Sequence, residues 1–255
     1  MHLSLEGRRA LVTGGSRGLG LAMARTFTEA GARVAIVARE AAPLAEAAAS
    51  LPGSVPIRAD LSTAEGCERA FAAAEAGLGG VDILVSNAGT SRRAPFTRIT
   101  DAEWQADLDL KLFAAIRLTR LAWPGMAERR FGRVINVLNT GAKAPPAGGA
   151  PTAVSRAAGL ALTKVLAGEG ASLGINVNAL LVGKIDSDQW VRRHAANPAG
   201  QTYEQWKAEA GRAIPMGRMG RAEEFAAMAL ALVTAPGEYV TGTAINVDGG
   251  LSPVP

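Results

Sequence analysis

Residues 11–20 read Leu-Val-Thr-Gly-Gly-Ser-Arg-Gly-Leu-Gly. The apolar run Ala10-Leu11-Val12 before the glycines has the character of a buried parallel strand. After them Leu19, Ala22, Met23, Thr26 and Phe27 recur at helical spacing. Strand, glycine turn and helix in this order place a helix N-terminus, with its unpaired N–H groups and positive dipole end, where a dinucleotide diphosphate can approach the backbone. The glycines stand at Gly14, Gly18 and Gly20, a spacing that differs from the general dinucleotide fingerprint. Context must therefore decide the reading.

That context is an alternation of strands and helices. A second buried strand is expected at 33–38, a helix at 41–50, a third strand at 54–59 and a helix at about 63–78. Val81-Asp82-Ile83-Leu84-Val85 is a strong strand signal running into Ser86-Asn87-Ala88-Gly89. A long helix should run from Asp101, as N-cap, to about Trp123. Strands at 133–137 and 174–181 bracket a helix at 152–170, and a helix at 222–233 precedes a last strand at 244–247. The polar stretch 184–215, with two tryptophans, reads as a lid over the substrate. The expectation is a single α/β domain spanning 1–255, a doubly wound parallel sheet with helices on both faces.

The second strand ends at Ala38-Arg39, where an acidic residue would bind the adenosine ribose hydroxyls. With Arg17 in the glycine turn, Arg39 can clasp a 2′-phosphate, so NADP is expected in preference to NAD. Composition fits a globular enzyme: 48% hydrophobic, 20% charged and only 5% aromatic residues. The net charge of +4 is spread without a polybasic run, which argues against nucleic acid as a partner. The lone Cys67 rules out an internal disulfide and a cysteine metal centre, and no metal is expected. No apolar h-region opens the chain and no stretch is long enough to span a membrane, so a cytoplasmic protein is expected.

Taken together, Thr13-Gly-Gly-Ser-Arg-Gly-Leu-Gly20, Asp60-Leu61, Asn87-Ala-Gly89, Arg133-Val-Ile-Asn-Val137, Asn176-Val-Asn-Ala179, Pro215-Met-Gly-Arg218 and Thr241-Gly-Thr-Ala-Ile-Asn-Val-Asp-Gly-Gly250 resemble the short-chain dehydrogenase/reductase family over nearly the full length. The resemblance implies a Rossmann-like fold and a carbonyl or alcohol substrate. It implies that Gly14, Ser16, Arg17, Gly18, Leu19 and Gly20 hold the cofactor, that Asp60 and Leu61 lie near the adenine, and that Asn87, Ala88 and Gly89 support cofactor and sheet. Ile185 and Ser187 would neighbour the nicotinamide. A homotetramer or dimer is implied as well.

At the positions where the family carries its catalytic Asn, Ser, Tyr and Lys, this sequence has Lys111, Asn139, Thr152 and Arg156. A threonine hydroxyl is too weak an acid to replace the tyrosine near neutral pH. Arg156 can hold the cofactor ribose and supply charge but cannot pass protons on. Asn139 can donate a hydrogen bond to a carbonyl oxygen. Lys111, near Arg156, would have a lowered pKa and act as proton donor or as an amine attacking a carbonyl; otherwise it is a surface lysine paired with Asp107. Lys143, Lys184, Asp186, Asp188 and His194 are secondary candidates, His194 expected to face solvent. Arg92, Arg93, Arg192 and Arg193 are candidates for an anionic substrate.

Three functions stay open. One is an NADPH-dependent oxidoreductase with a substituted proton relay. Another is a catalytically silent subunit pairing with an active homologue. The third is a lyase or isomerase using Lys111.

Overall fold

The computed structural model describes residues 3–196 and 200–255, with 188 and 189 as backbone alone. Residues 197–199 of the expected lid and the side chain of Asp188 therefore lie outside the described residues.

Seven strands, β1 (Arg9–Thr13), β2 (Arg33–Ala38), β3 (Val55–Arg58), β4 (Ile83–Ser86), β5 (Gly132–Asn139), β6 (Ile175–Val182) and β7 (Ala244–Val247), form one sheet ordered β3-β2-β1-β4-β5-β6-β7. Every pairing is parallel. Such a sheet needs both faces covered, which is why its strands are apolar runs without alternation. On one face α1 (Gly18–Glu29), α2 (Ala41–Ala49) and α9 (Ala222–Val233) bury Met23, Phe27, Leu44 and Phe225. On the other, α3 (Ala64–Leu78), α5 (Ala114–Glu128) and α6 (Thr152–Gly170) bury Cys67, Phe71, Leu118 and Met126. This is the Rossmann-like, doubly wound α/β fold that the alternating pattern predicts. The strand order reverses between β1 and β4, and ligands in such sheets bind in the crevice outside the strand ends there.

Two local expectations need correction. Asp101 is not the N-cap of α4 (Asp101–Leu108): Thr100 is, in a reciprocal box with Glu103. The expected long helix is interrupted by a wider π-helical turn, Asp109–Phe113, and continues as α5 beyond Trp123 to Glu128. The lid stretch contains two helices, α7 (Asp188–Ala195) and α8 (Tyr203–Arg212). Among the described residues no helix is long and apolar enough to cross a membrane.

Candidate active site

At the switch point, the Asn87 amide donates to the carbonyls of Thr13 (2.9 Å) and Gly14 (3.3 Å), tying the end of β4 to the end of β1. The Thr13 hydroxyl accepts from Asn87 N (2.8 Å) and Ala88 N (3.0 Å), which satisfies backbone donors that leave the sheet here. Helix α1 starts so close to the turn that a Cβ on Gly20 would lie 2.1 Å from the Gly14 carbonyl oxygen. Gly14 itself has φ +64°, so both positions require glycine. The result is an open cleft. One end is lined by Ala38, Arg39, Glu40 and Leu61, the other by Gly18, Leu19, Ser187 and Arg192, and Gly14, Ser16, Arg17, Ala88 and Gly89 are common to both.

Two of the expected cofactor residues have contacts within the protein. The Asp60 carboxylate is turned to Ser62, accepting from its backbone N (3.0 Å) and hydroxyl (2.8 Å). Those bonds hold its pKa low, with nearby Arg39 adding to the effect. Ile185 is 3% exposed and packs in the core beside Gly220. Arg17 pairs with Glu40 at 3.2 Å.

The four positions expected to carry the chemistry converge unequally. Lys111 is buried, not a surface residue: its side chain is 1% exposed. The π-helical turn brings its ammonium against Asp107 and 2.7 Å from the Thr152 hydroxyl. The second oxygen of Asp107 accepts from the Ser155 hydroxyl at 2.6 Å. One carboxylate thus joins the long helix to the first turn of α6. Burial lowers the Lys111 pKa to about 8; Asp107 opposes that shift, and the neighbouring Arg156 and Arg92 add to it. The direction agrees with the sequence argument, but desolvation outweighs the like charge.

The Thr152 hydroxyl, expected to face the substrate, is fully engaged. It accepts from Lys111 and from Arg92 N (3.0 Å) and donates to the Arg92 carbonyl (2.8 Å). Further backbone contacts, Ala94 N to the Ala150 carbonyl (3.2 Å) and an Arg93–Pro151 bridge, fasten this loop to the start of α6. Arg156 is half-buried, and a Cβ on Gly89 would lie 2.7 Å from its guanidinium. Burial lowers its pKa to about 10, which leaves it protonated at neutral pH. It makes no hydrogen bond or ion pair among the described residues. At the end of β5, the side-chain oxygen of Asn139 is buried without a hydrogen-bond partner.

A family model described as enoyl-(acyl carrier protein) reductase matches residues 14–252. The chain belongs to the short-chain dehydrogenase/reductase family. It is 35% identical to an acetoacetyl-CoA reductase of Shinella zoogloeoides, covering 95% of this chain and 98% of that protein. L-sorbose reductase from Gluconobacter frateurii, solved in complex with NADPH and L-sorbose, superposes with a TM-score of 0.95 at 31% identity, covering all of both chains. A short-chain oxidoreductase from Pseudomonas aeruginosa PAO1, described as containing an atypical catalytic center, superposes with a TM-score of 0.92 at 36% identity, over 98% of this chain and 99% of that one.

In this short-chain dehydrogenase/reductase the secondary candidates serve the scaffold. Lys143 donates to the Ala244 carbonyl (2.7 Å) and Lys184 to that of Ala210 (3.4 Å). Asp186 is held by the Tyr203 hydroxyl and by Lys207 at 2.7 Å. His194 does not face solvent freely: its Nε2 lies 2.8 Å from the Gln201 carbonyl, and its ring contacts Tyr203 and Trp206. Ser155 escapes a reading based on single positions. The only signal for Ser155 is its place three residues after Thr152, one helical turn along the same face.

Proposed function

We propose that this chain is an NADP(H)-dependent oxidoreductase interconverting a carbonyl and an alcohol through a proton relay of Lys111 and Thr152. The observation that carries the reading is the buried Asp107–Lys111–Thr152 chain ending beside Arg156 and Gly89, at the reacting end of a cleft built for a dinucleotide. Support for the cofactor comes from the glycine turn, where added Cβ atoms would collide, and from Arg17 and Arg39 at the far end. The NADPH complex of the L-sorbose reductase relative points the same way.

When bound, the cofactor supplies the hydride; the protein positions it and manages charge and protons. Gly14, Ser16, Gly18, Leu19 and Gly20 would hold the diphosphate, with Ser187 over it. Asn87, Ala88 and Gly89 keep the two strand ends in register, and Leu61 bounds the adenine side. Arg156 would stabilise negative charge on the substrate oxygen and steady the ribose, and the Asn139 side-chain N–H would donate a further hydrogen bond. Lys111 holds the proton. Its path to the substrate oxygen runs through the Thr152 hydroxyl, which must let go of the Arg92 carbonyl to donate. In reduction the substrate oxygen takes this proton and Lys111 is left neutral, the state that its burial favours.

The stretch 184–215 acts as the lid of a single domain. An exposed apolar groove between α5 and α6, lined by Ile116, Trp123, Pro124 and Leu166, supports a homotetrameric or dimeric assembly. One observation favours a second reading. The saturated Thr152 hydroxyl and the enclosed Lys111 would suit a silent subunit that pairs with an active homologue. Enclosure of Lys111, with two of its donors engaged, also weighs against covalent amine chemistry.

Titration of the purified protein with NADPH and NADH by calorimetry, followed by a screen of carbonyl compounds, tests the proposal. NADPH binding and oxidation with a carbonyl acceptor are expected. Binding without turnover would favour the silent subunit, and no binding of either nucleotide would defeat the dinucleotide reading.

A further inference from the structure

On α7, Trp190, Arg193 and His194 occupy one face, at helical spacing. That face is committed to packing. Trp190 meets Trp206 with ring centroids 5.6 Å apart, and His194 lies 5.9 Å from Trp206. Arg193 lies over the Trp190 ring at 4.7 Å and donates to the Ser91 hydroxyl at 3.1 Å. Arg192, the next residue back, points elsewhere, into the glycine-turn end of the cleft with Gly14, Ser16, Gly18 and Ser187. The start of α7 is close there: a Cβ on Gly18 would meet the Ser187 Cβ at 3.6 Å.

Among the described residues no anion answers Arg192. It forms no hydrogen bond or ion pair among the described residues. Glu40 is engaged by Arg17 at 3.2 Å, and Asp186 by Lys207 at 2.7 Å. Backbone N–H groups at the start of α1 favour negative charge in the same place. We infer that Arg192 holds the diphosphate of the bound dinucleotide from the lid side, opposite the glycine turn. The inference rests on the dinucleotide reading of the cleft. Its ligand is the diphosphate, common to NADPH and NADH, because Arg39, the 2′-phosphate candidate at the end of β2, lies with Ala38 and Leu61 at the other end, while Arg17 lines both.

The test is calorimetric binding of NADPH, NADH, ADP-ribose and 2′-AMP to the wild type, Arg192→Gln and Arg192→Lys. Arg192 is exposed, so both variants should fold, which circular dichroism checks. Arg192→Gln is expected to weaken NADPH, NADH and ADP-ribose by a common factor of about ten, with 2′-AMP unchanged. Arg192→Lys keeps a point charge without the planar fork and should recover part of the loss. Unchanged affinities, or a loss confined to NADPH and 2′-AMP, would overturn the inference while leaving the dinucleotide reading intact. A wild type that binds none of the diphosphate ligands would remove both.

Discussion

Lys111 Nζ lies 2.7 Å from the Thr152 hydroxyl, bridging the turn between α4 and α5 to the first residue of α6. One hydrogen bond thus joins positions that are 41 residues apart in sequence. Because burial brings Lys111 down to about 8, its charge changes within reach of an ordinary assay. Below that value it is protonated and can supply the proton that reduction consumes; above it the proton is gone. Carbonyl reduction is expected to fall as pH rises through about 8, and the oxidative direction to rise. Lys111→Gln should cost about a hundredfold in kcat and abolish the inflection. Asp107→Asn removes the partner that raises the lysine pKa, so the inflection should move to lower pH. A pH–rate profile of the three proteins decides this, and an inflection that survives in Lys111→Gln would sink the relay.

The glycine turn gives a contrast between two substitutions to alanine. At Gly20 the new Cβ would sit 2.1 Å from the Gly14 oxygen and 2.6 Å from the Asn87 amide. Both are fixed by the β1–β4 junction, so α1 must shift. Gly20→Ala should destabilise by about 2 kcal/mol and weaken dinucleotide binding. Gly168 lies exposed within α6, with nothing within 4 Å of its added Cβ. Gly168→Ala should stabilise by about 0.5–1 kcal/mol through reduced chain entropy in the unfolded state and better helix propensity. Urea unfolding midpoints separate the two.

At the amino-terminal ends of the central strands, opposite the cleft, Asp82 is 2% exposed and receives Arg9 at 2.7 Å and Arg129 at 2.9 Å. The two guanidinium groups outweigh the desolvation that alone would raise its pKa, and the carboxylate titrates below its ordinary value. A depressed carboxylate contributes stability that is complete above its unfolded pKa and fades as pH falls through its folded one. Asp82→Asn should therefore lower stability at neutral pH by about 2–3 kcal/mol and flatten the acid limb of a stability–pH curve. An unchanged acid limb would show that other carboxylates carry it.

The fold is legible because each element announces itself locally. The bounds of α6, α9 and β7 coincide with changes of periodicity at Thr152, Ala222 and Ala244. Thr100-x-x-Glu103 carries the signature of the box that starts α4, while Asp101 is only its first helical residue. The π-helical turn at Asp109–Phe113 has no such signature, since Leu110, Lys111 and Leu112 suit an ordinary helix equally well. The site is legible only in part. The i, i+4 spacing shows that Asp107 and Lys111 can pair, but their burial depends on Arg92 and Thr152 arriving from other segments. The same limit hides Arg192, whose neighbour Arg193 is equally polar; packing of Trp190 against Trp206 decides which of the two faces the cleft.

Cofactor choice is expected to turn on Arg39 and Glu40 at the end of β2 and on Arg17 in the glycine turn. Arg39 is exposed and close enough to Asp60 to help lower its pKa, and Arg17 is drawn toward Glu40. A 2′-phosphate entering here gains Arg39 and must compete with Glu40 for Arg17. The Arg17–Glu40 pair is solvent-exposed and so worth less than about 1 kcal/mol, which a dianionic phosphate can outbid. Arg39→Ala is expected to weaken NADPH about tenfold and leave NADH nearly unchanged. Glu40→Gln frees Arg17 and removes a repelling charge, so NADPH should tighten by about threefold, with the gain shrinking at high salt. Binding of both nucleotides to the two variants at low and high ionic strength is the measurement. If Arg39→Ala weakens NADH as much as NADPH, Arg39 supports the adenosine in general, and the preference for the phosphorylated cofactor must be sought elsewhere.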